Sequence, residues 1–204
     1  ISDIHSGSFT NPEKIQYGID LINKQESDLI LFTGDIVNNK ADEMDNWIDL
    51  FKNFEAPYGK FSILGNHDYG DYVDWDSKED KARNFEAVKK VHPKIGFDLL
   101  LNENRFIEKD GQKIALVGVE NWGKGFNQAG DLEKASLGLE KADFKILMSH
   151  DPSHWEYKVK QDDFNYHLTL SGHTHGLQMG IEIPGFFRWS PSQYVYKQWA
   201  GLYS

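Results

Sequence analysis

The sequence predicts an α/β protein in which two mixed β-sheets pack face to face as a β-sandwich flanked by α-helices. Three observations predict it. Apolar runs alternate with segments of helical periodicity in the first third of the chain, and a hairpin signal opens a further sheet in the second half. Five short polar motifs also sit at or just past apolar runs, where buried strands end, which places their side chains on one rim of a sheet.

The elements follow in order. Ile1-Ser2-Asp3 reads as the last residues of a strand. Asn11-Pro12-Glu13 starts a helix, with Asn as N-cap and Pro in the first helical position, and Ile15, Ile19 and Ile22 recur at helical spacing. Leu29 to Phe32 is the next strand. A second helix is expected from about Asp42 to Phe54, with Met44, Trp47, Ile48 and Phe51 on one side, leading to the strand Phe61 to Leu64. This gives β-α-β-α-β. From Asp74 to Val91 the chain is highly charged, with Phe85 and Val88 as sparse apolar positions, and predicts a solvated surface helix inserted near the site. Asp110-Gly111, between Arg105 to Lys109 and Gln112 to Gly118, is a two-residue hairpin turn. Strands follow at Phe144 to Met148, His167 to Leu170 and Gln178 to Ile183.

Composition narrows the function classes. A chain of 204 residues with 39% hydrophobic content suits one domain spanning 1–204 with a substantial core. Its ends look cut, so a longer protein is expected, with room for a membrane segment in either missing piece. No stretch approaches the roughly 20 apolar residues of a membrane span, and no cleavable signal is visible. The sequence given is expected to be soluble; the compartment is left open, with a cytoplasmic, membrane-associated full-length protein favoured. The charge of -10 argues against nucleic acid as a partner. With no cysteine, any metal must be held by oxygen and imidazole.

The motifs carry the chemistry. They are Asp3-Ile-His5, Gly34-Asp35, Gly65-Asn66-His67-Asp68, Ser149-His150-Asp151 and Gly172-His173-Thr-His175, and they hold five of the eight histidines. Asp3 and His5 point the same way if a strand persists that far, and Gly172 suits a sharp turn bringing His173 and His175 together. With Asp35, Asn66 and His150 these make seven oxygen or nitrogen donors. That exceeds the needs of one ion and suits two ions bridged by a shared carboxylate, an arrangement that serves phosphate-ester hydrolysis.

A lone Asp-x-His or Gly-Asp is most often structural, but the ordered set resembles the calcineurin-like metallophosphoesterase family from residue 3 to residue 175. The resemblance implies that Asp3, His5 and His175 hold one metal, that Asn66, His150 and His173 hold the second, and that Asp35 bridges them. It further implies attack on phosphorus by a metal-bridging hydroxide, with His67 left free of metal to act on the departing oxygen. Asp68 is either a loop-stabilising acceptor or a residue that orients the catalytic site. The cofactors implied are two divalent metal ions, manganese with zinc or iron as alternatives.

One departure bears on the substrate. Where the Ser/Thr phosphatases of this superfamily continue to an Asp-Arg pair, this chain has Asn38-Asn39, which removes a bidentate grip on a phosphate dianion and favours a phosphodiester or pyrophosphate. The runs Val119 to Gly123, His150 to His154 and Ile183 to Phe186 are similar to bacterial membrane-associated phosphoesterases such as UDP-2,3-diacylglucosamine pyrophosphatases. A small-molecule or lipid-linked phosphoester is the expected partner. Residues 183–204, dense in aromatic side chains with Arg188 and Lys197, are the candidate membrane contact. A phosphodiesterase for soluble nucleotides or small esters is the alternative, and a non-catalytic scaffold is disfavoured because every ligand and His67 are present. His154, Trp122 and Asn38 are the candidate substrate-binding residues. Trp122, Lys124 and Phe126 form a loop that either lines the entrance or is purely structural, and His92 and His167 read as ordinary surface or hydrogen-bonded residues, His92 in a turn.

Overall fold

The computed structural model describes residues 1–139 and 144–203. Asn11 caps α1 (Pro12–Asn23) by accepting a hydrogen bond from Lys14 N, and Pro12 fills a position whose N–H would have no partner. β1 (Ile30–Phe32), β2 (Lys60–Ser62) and β3 (Asp98–Leu99) form a parallel sheet in that order. The second sheet runs β4 (Glu103–Lys109), β5 (Gln112–Gly118), β6 (Phe144–Met148) and β7 (Leu168–Leu170), antiparallel at β4–β5 and parallel beyond. Asp110 and Gly111 both take positive φ in the β4–β5 turn, the geometry that a two-residue hairpin loop requires. β8 (Ile181–Ile183) and β9 (Phe187–Trp189) make a separate hairpin.

Alternation along the strands builds the layers. Leu116 and Met148 join Ile63 and Leu100 between the two sheets, all fully buried. Ala115, Val117 and Leu147 face the other way, towards α4 (Leu132–Ala135) and α5 (Ser153–Tyr157). Across the sandwich, α1, the one-turn α2 (Ile48–Phe51) and α3 (Lys78–Lys94) cover the first sheet, with Ile19, Phe51 and Val88 against Phe32 and Phe97. The two-sheet α/β architecture flanked by helices expected from the sequence is the one found, with the first sheet parallel and the second mixed. Among the described residues, no helix is long and apolar enough to cross a membrane.

Three local expectations are corrected. The helix expected from Asp42 to Phe54 is a 3-10 turn at Ala41–Met44 followed by α2, because the Glu43 carboxylate gathers the N–H groups of Asn38, Asn39 and Lys40 and draws the chain into a tight bend. Met44, Trp47 and Phe51 still reach the core. α3 is a crossover and not a solvated insertion: it joins two parallel strands and buries Val88, Val91 and His92. His92 lies inside that helix, fully buried against Phe32, and neither ring nitrogen has a hydrogen-bond partner among the described residues. His167 does hydrogen-bond as expected, its Nδ1 accepting from Lys145 N at 3.0 Å.

Candidate metal centre

Four motifs follow strands β1, β2, β6 and β7 at their carboxyl ends, where an open α/β sheet offers a crevice. The first motif lies beside them: Asp3 N donates to Gly34 O at 3.0 Å and His5 N to Asp35 O at 3.1 Å. Asp3 and His5 do not converge through strand alternation, since both have positive φ. Asp35, His173 and His175 share that conformation, with φ between 48° and 68° across the five. Such backbone costs on the order of 1 kcal/mol per residue and clusters where side chains must be aimed. Gly172 permits the closest approach, because a Cβ there would collide with Ser2 Oγ and the Asp3 carboxylate.

The donors come together in three overlapping groups, each within 4.8 Å: Asp3, His5 and His175; His5, Asp35 and His67; and Asp35, His150 and His173. Asn66 joins the last, its Oδ1 lying 3.1 Å from His150 Nε2 and 2.7 Å from His173 Nδ1. Its Nδ2 donates to Tyr72 OH at 2.7 Å, which turns the amide oxygen inward. All seven expected donors therefore stand on one rim.

The chemistry of the set fits divalent cations. His150 Nδ1 lies 2.7 Å from Thr33 O, an acceptor that places the ring proton there. Its Nε2 faces Asp35 Oδ2 at 3.1 Å, a separation that a cation, or a ring proton in its place, can bridge. His175 repeats the pattern, with Nδ1 on Gln178 Oε1 at 2.5 Å and Nε2 facing His5 Nε2 at 3.2 Å and Asp3 Oδ1 at 3.5 Å. Ligand atoms sharing an ion at about 2.1 Å stand roughly 3 Å apart, close to these separations. Without a cation, a proton on His150 bridges to Asp35 instead, and a cation would displace it. Burial would pull the His150 imidazole down, but the Asp35 charge and hydrogen bond outweigh it and hold the ring up at about 9. Burial pushes the Asp35 carboxyl up, yet His150 and His67 beside it hold it down at about 2. Burial lowers His5, and burial with the His150 charge lowers His173 to about 4, so both are neutral donors near pH 7.

His67 stands at the same centre with Nδ1 2.8 Å from Asn38 O. Asp68 is fully buried and accepts N–H bonds from Asp35, Ile36, Val37 and Gly65, so it holds the Asp35 loop in place and does not face the cleft. Burial and the Asp35 charge push its carboxyl up, and these N–H bonds oppose the shift. Asn38 reaches the site through its carbonyl, while its side chain bonds Ser8. His154 and Trp122 stack on each other at 5.1 Å and line a depression whose described walls include none of the seven donors. The loop from Trp122 touches the centre through Phe126 instead, whose ring meets His173 edge-on at 4.8 Å. Tyr72, Gln178 and Tyr196 also contact site histidines or Asn66, and no spacing in the sequence marks them.

Comparison with known proteins accords with this geometry. The profile described as calcineurin-like phosphoesterase matches residues 1–177. The uncharacterized metallophosphoesterase YkuE of Bacillus subtilis is 31% identical over 99% of this chain and 65% of its own length. The uncharacterized metallophosphoesterase Cj0846 of Campylobacter jejuni is 27% identical over 88% of this chain and 44% of its own, so the chain spans under two thirds of either relative. The structure of Haemophilus influenzae NAD nucleotidase shares the fold at TM-score 0.52 and 15% identity, covering 86% of this chain and 37% of that one. With a match over 177 of its residues, this chain belongs to the calcineurin-like phosphoesterase family.

Proposed function

We propose that the chain hydrolyses a phosphodiester or pyrophosphate bond with two divalent cations, one held by Asp3, His5 and His175, the other by Asn66, His150 and His173, and both by Asp35. The observation that carries this reading is the overlap of the donor groups, in which the buried Asp35 carboxylate faces His5 on one side and His150 on the other. Cations bound there would supply positive charge for phosphate oxygens and lower the pKa of water to about 7. The protein contributes the rest. Asp68 fixes the Asp35 loop, Tyr72 aims the Asn66 oxygen, and Asn38 takes the Nδ1 proton of His67, so that Nε2 is the nitrogen available to a leaving oxygen. Asn38 and Asn39 are neutral where the Ser/Thr phosphatases of this superfamily carry an Asp-Arg pair, and Asn39 is occupied with Tyr72 N and Asn84, which supports a diester or pyrophosphate over a dianionic monoester.

A lipid-linked substrate such as UDP-2,3-diacylglucosamine, met at a membrane surface, is the finer reading we favour. It is supported by exposed Ile181, Ile183, Phe186 and Phe187 on the β8–β9 hairpin, close in sequence to His175. Metal analysis and hydrolysis test the proposal together. Manganese-loaded protein should approach two ions per chain and cleave bis-nitrophenyl phosphate faster than nitrophenyl phosphate, and Asp35→Asn should weaken both ions. One ion at saturation with full activity would refute the shared-carboxylate assignment.

A further inference from the structure

His173 is held from both sides. Its Nδ1 faces Asn66 Oδ1 in the centre, and its Nε2 lies 2.6 Å from Tyr196 OH and 3.5 Å from Asp151 Oδ2. Asp151 is an unusual neighbour. It is 1% exposed, its Oδ1 accepts from Ser153 N, and its Oδ2 has no hydrogen-bond partner among the described residues, a costly state for a buried carboxylate. The Trp122–Gln128 loop seals it in, since a Cβ on Gly123 would collide with that same oxygen. Tyr196 comes from beyond residue 177, where the family match ends. Its segment is tied to the His173–His175 turn elsewhere too, because Thr174 Oγ1 donates to Trp199 O at 2.6 Å and Ser192 Oγ to Thr174 O at 3.1 Å.

Tyr196 OH can donate to or accept from Nε2, so it suits either ring tautomer, whereas Asn66 Oδ1 only accepts and, with the ring proton on Nε2, meets a lone pair on Nδ1 unless a cation lies between them. Only the tautomer with its proton on Nε2 leaves a lone pair on Nδ1 for a cation, and a buried carboxylate oxygen facing Nε2 at 3.5 Å, with Tyr196 OH beside it, offers that proton an acceptor. We propose that Asp151 and Tyr196 are positioning residues that fix the His173 ring with Nδ1 turned to the metal centre, making the 190–199 segment a working part of that centre. This rests on the two-ion reading above.

Calorimetric titration of the wild-type chain, Asp151→Asn and Tyr196→Phe with manganese alone, together with the visible absorption of the cobalt(II)-loaded forms, tests it. Each variant should keep one binding event as in wild type and weaken the other by about 10- to 100-fold, with altered absorption of the corresponding cobalt ion. Tyr196→Phe removes one oxygen from a partly exposed ring, so it keeps the test open should Asp151→Asn fail to fold. Folded variants with both events unchanged, or with both weakened equally, would overturn the inference. A wild-type chain that binds only one ion would sink the two-ion reading instead, and the inference would then be overturned only if that single event were unchanged in the variants.

Discussion

His67 and Gly172 show how single residues set roles at this centre. The Asn38 carbonyl fixes one nitrogen of His67 and leaves the other facing the centre, and under the proposed function that nitrogen acts on the leaving oxygen and not on a metal. His67→Ala should retain both ions by metal analysis and lose on the order of 10² to 10⁴ in turnover, with a smaller loss for a nitrophenolate leaving group. Equal losses for good and poor leaving groups would remove the acid role. At Gly172 the constraint is space. An alanine there meets Ser2 and the Asp3 carboxylate, so Gly172→Ala should weaken the ion at Asp3, His5 and His175 while the one at His150 is kept, as a two-event manganese titration would read.

At the scale of elements, α3 carries a buried group that makes stability depend on pH. Burial lowers the His92 imidazole to about 3, against 6.5 for the exposed group. The unfolded chain therefore binds a proton that the folded chain refuses, and stability falls as pH drops from about 6.5 towards about 3. By pH 5.5 this residue alone should have cost about 1.4 kcal/mol relative to pH 7.5. Urea unfolding of His92→Leu at the two pH values should show that much less loss than wild type, and an unchanged difference would show the ring is not neutral in the fold. The β8–β9 hairpin makes a different prediction. Phe186 is 86% exposed, so Phe186→Ser with Phe187→Ser should leave folding and soluble-diester hydrolysis intact while reducing binding to anionic vesicles, measured by sedimentation. Vesicle binding that is unchanged would remove the support for a membrane-facing hairpin.

For the whole molecule, the centre joins distant parts of the chain. Its donors come from the amino-terminal segment, both sheets and the final loop, and five of them sit in strained left-handed backbone. Ions that bind only this assembled arrangement stabilise the whole fold, by about 4 kcal/mol when free metal exceeds its dissociation constant 1,000-fold. Thermal unfolding should therefore rise clearly with manganese and fall back with chelator. Asp35→Asn should lose most of that rise, and a melting temperature indifferent to metal would mean that the site is not assembled by the fold.

Much of this was legible from residue order alone. Apolar runs, the Asn11-Pro12 cap and the Asp110-Gly111 turn act over a few neighbours, so strands, α1 and the hairpin follow from local physics. The seven donors were equally legible, because each sits just past an apolar run or beside one. What the sequence could not carry were contacts made across the chain. The bend at Glu43 replaced a periodic helix because one carboxylate captured three N–H groups. Asp68 proved to be a buried brace, and His154 and Trp122 turned to a separate depression, since burial and direction depend on how two sheets and a loop pack. Tyr72 and Tyr196 reached the centre only through that packing, and Asp151, next to His150 in sequence, owes its burial against His173 to it. Residue type and spacing determined which atoms could hold metal, and tertiary structure decided which neighbours aim them, because orientation is fixed by hydrogen bonds between residues far apart in sequence.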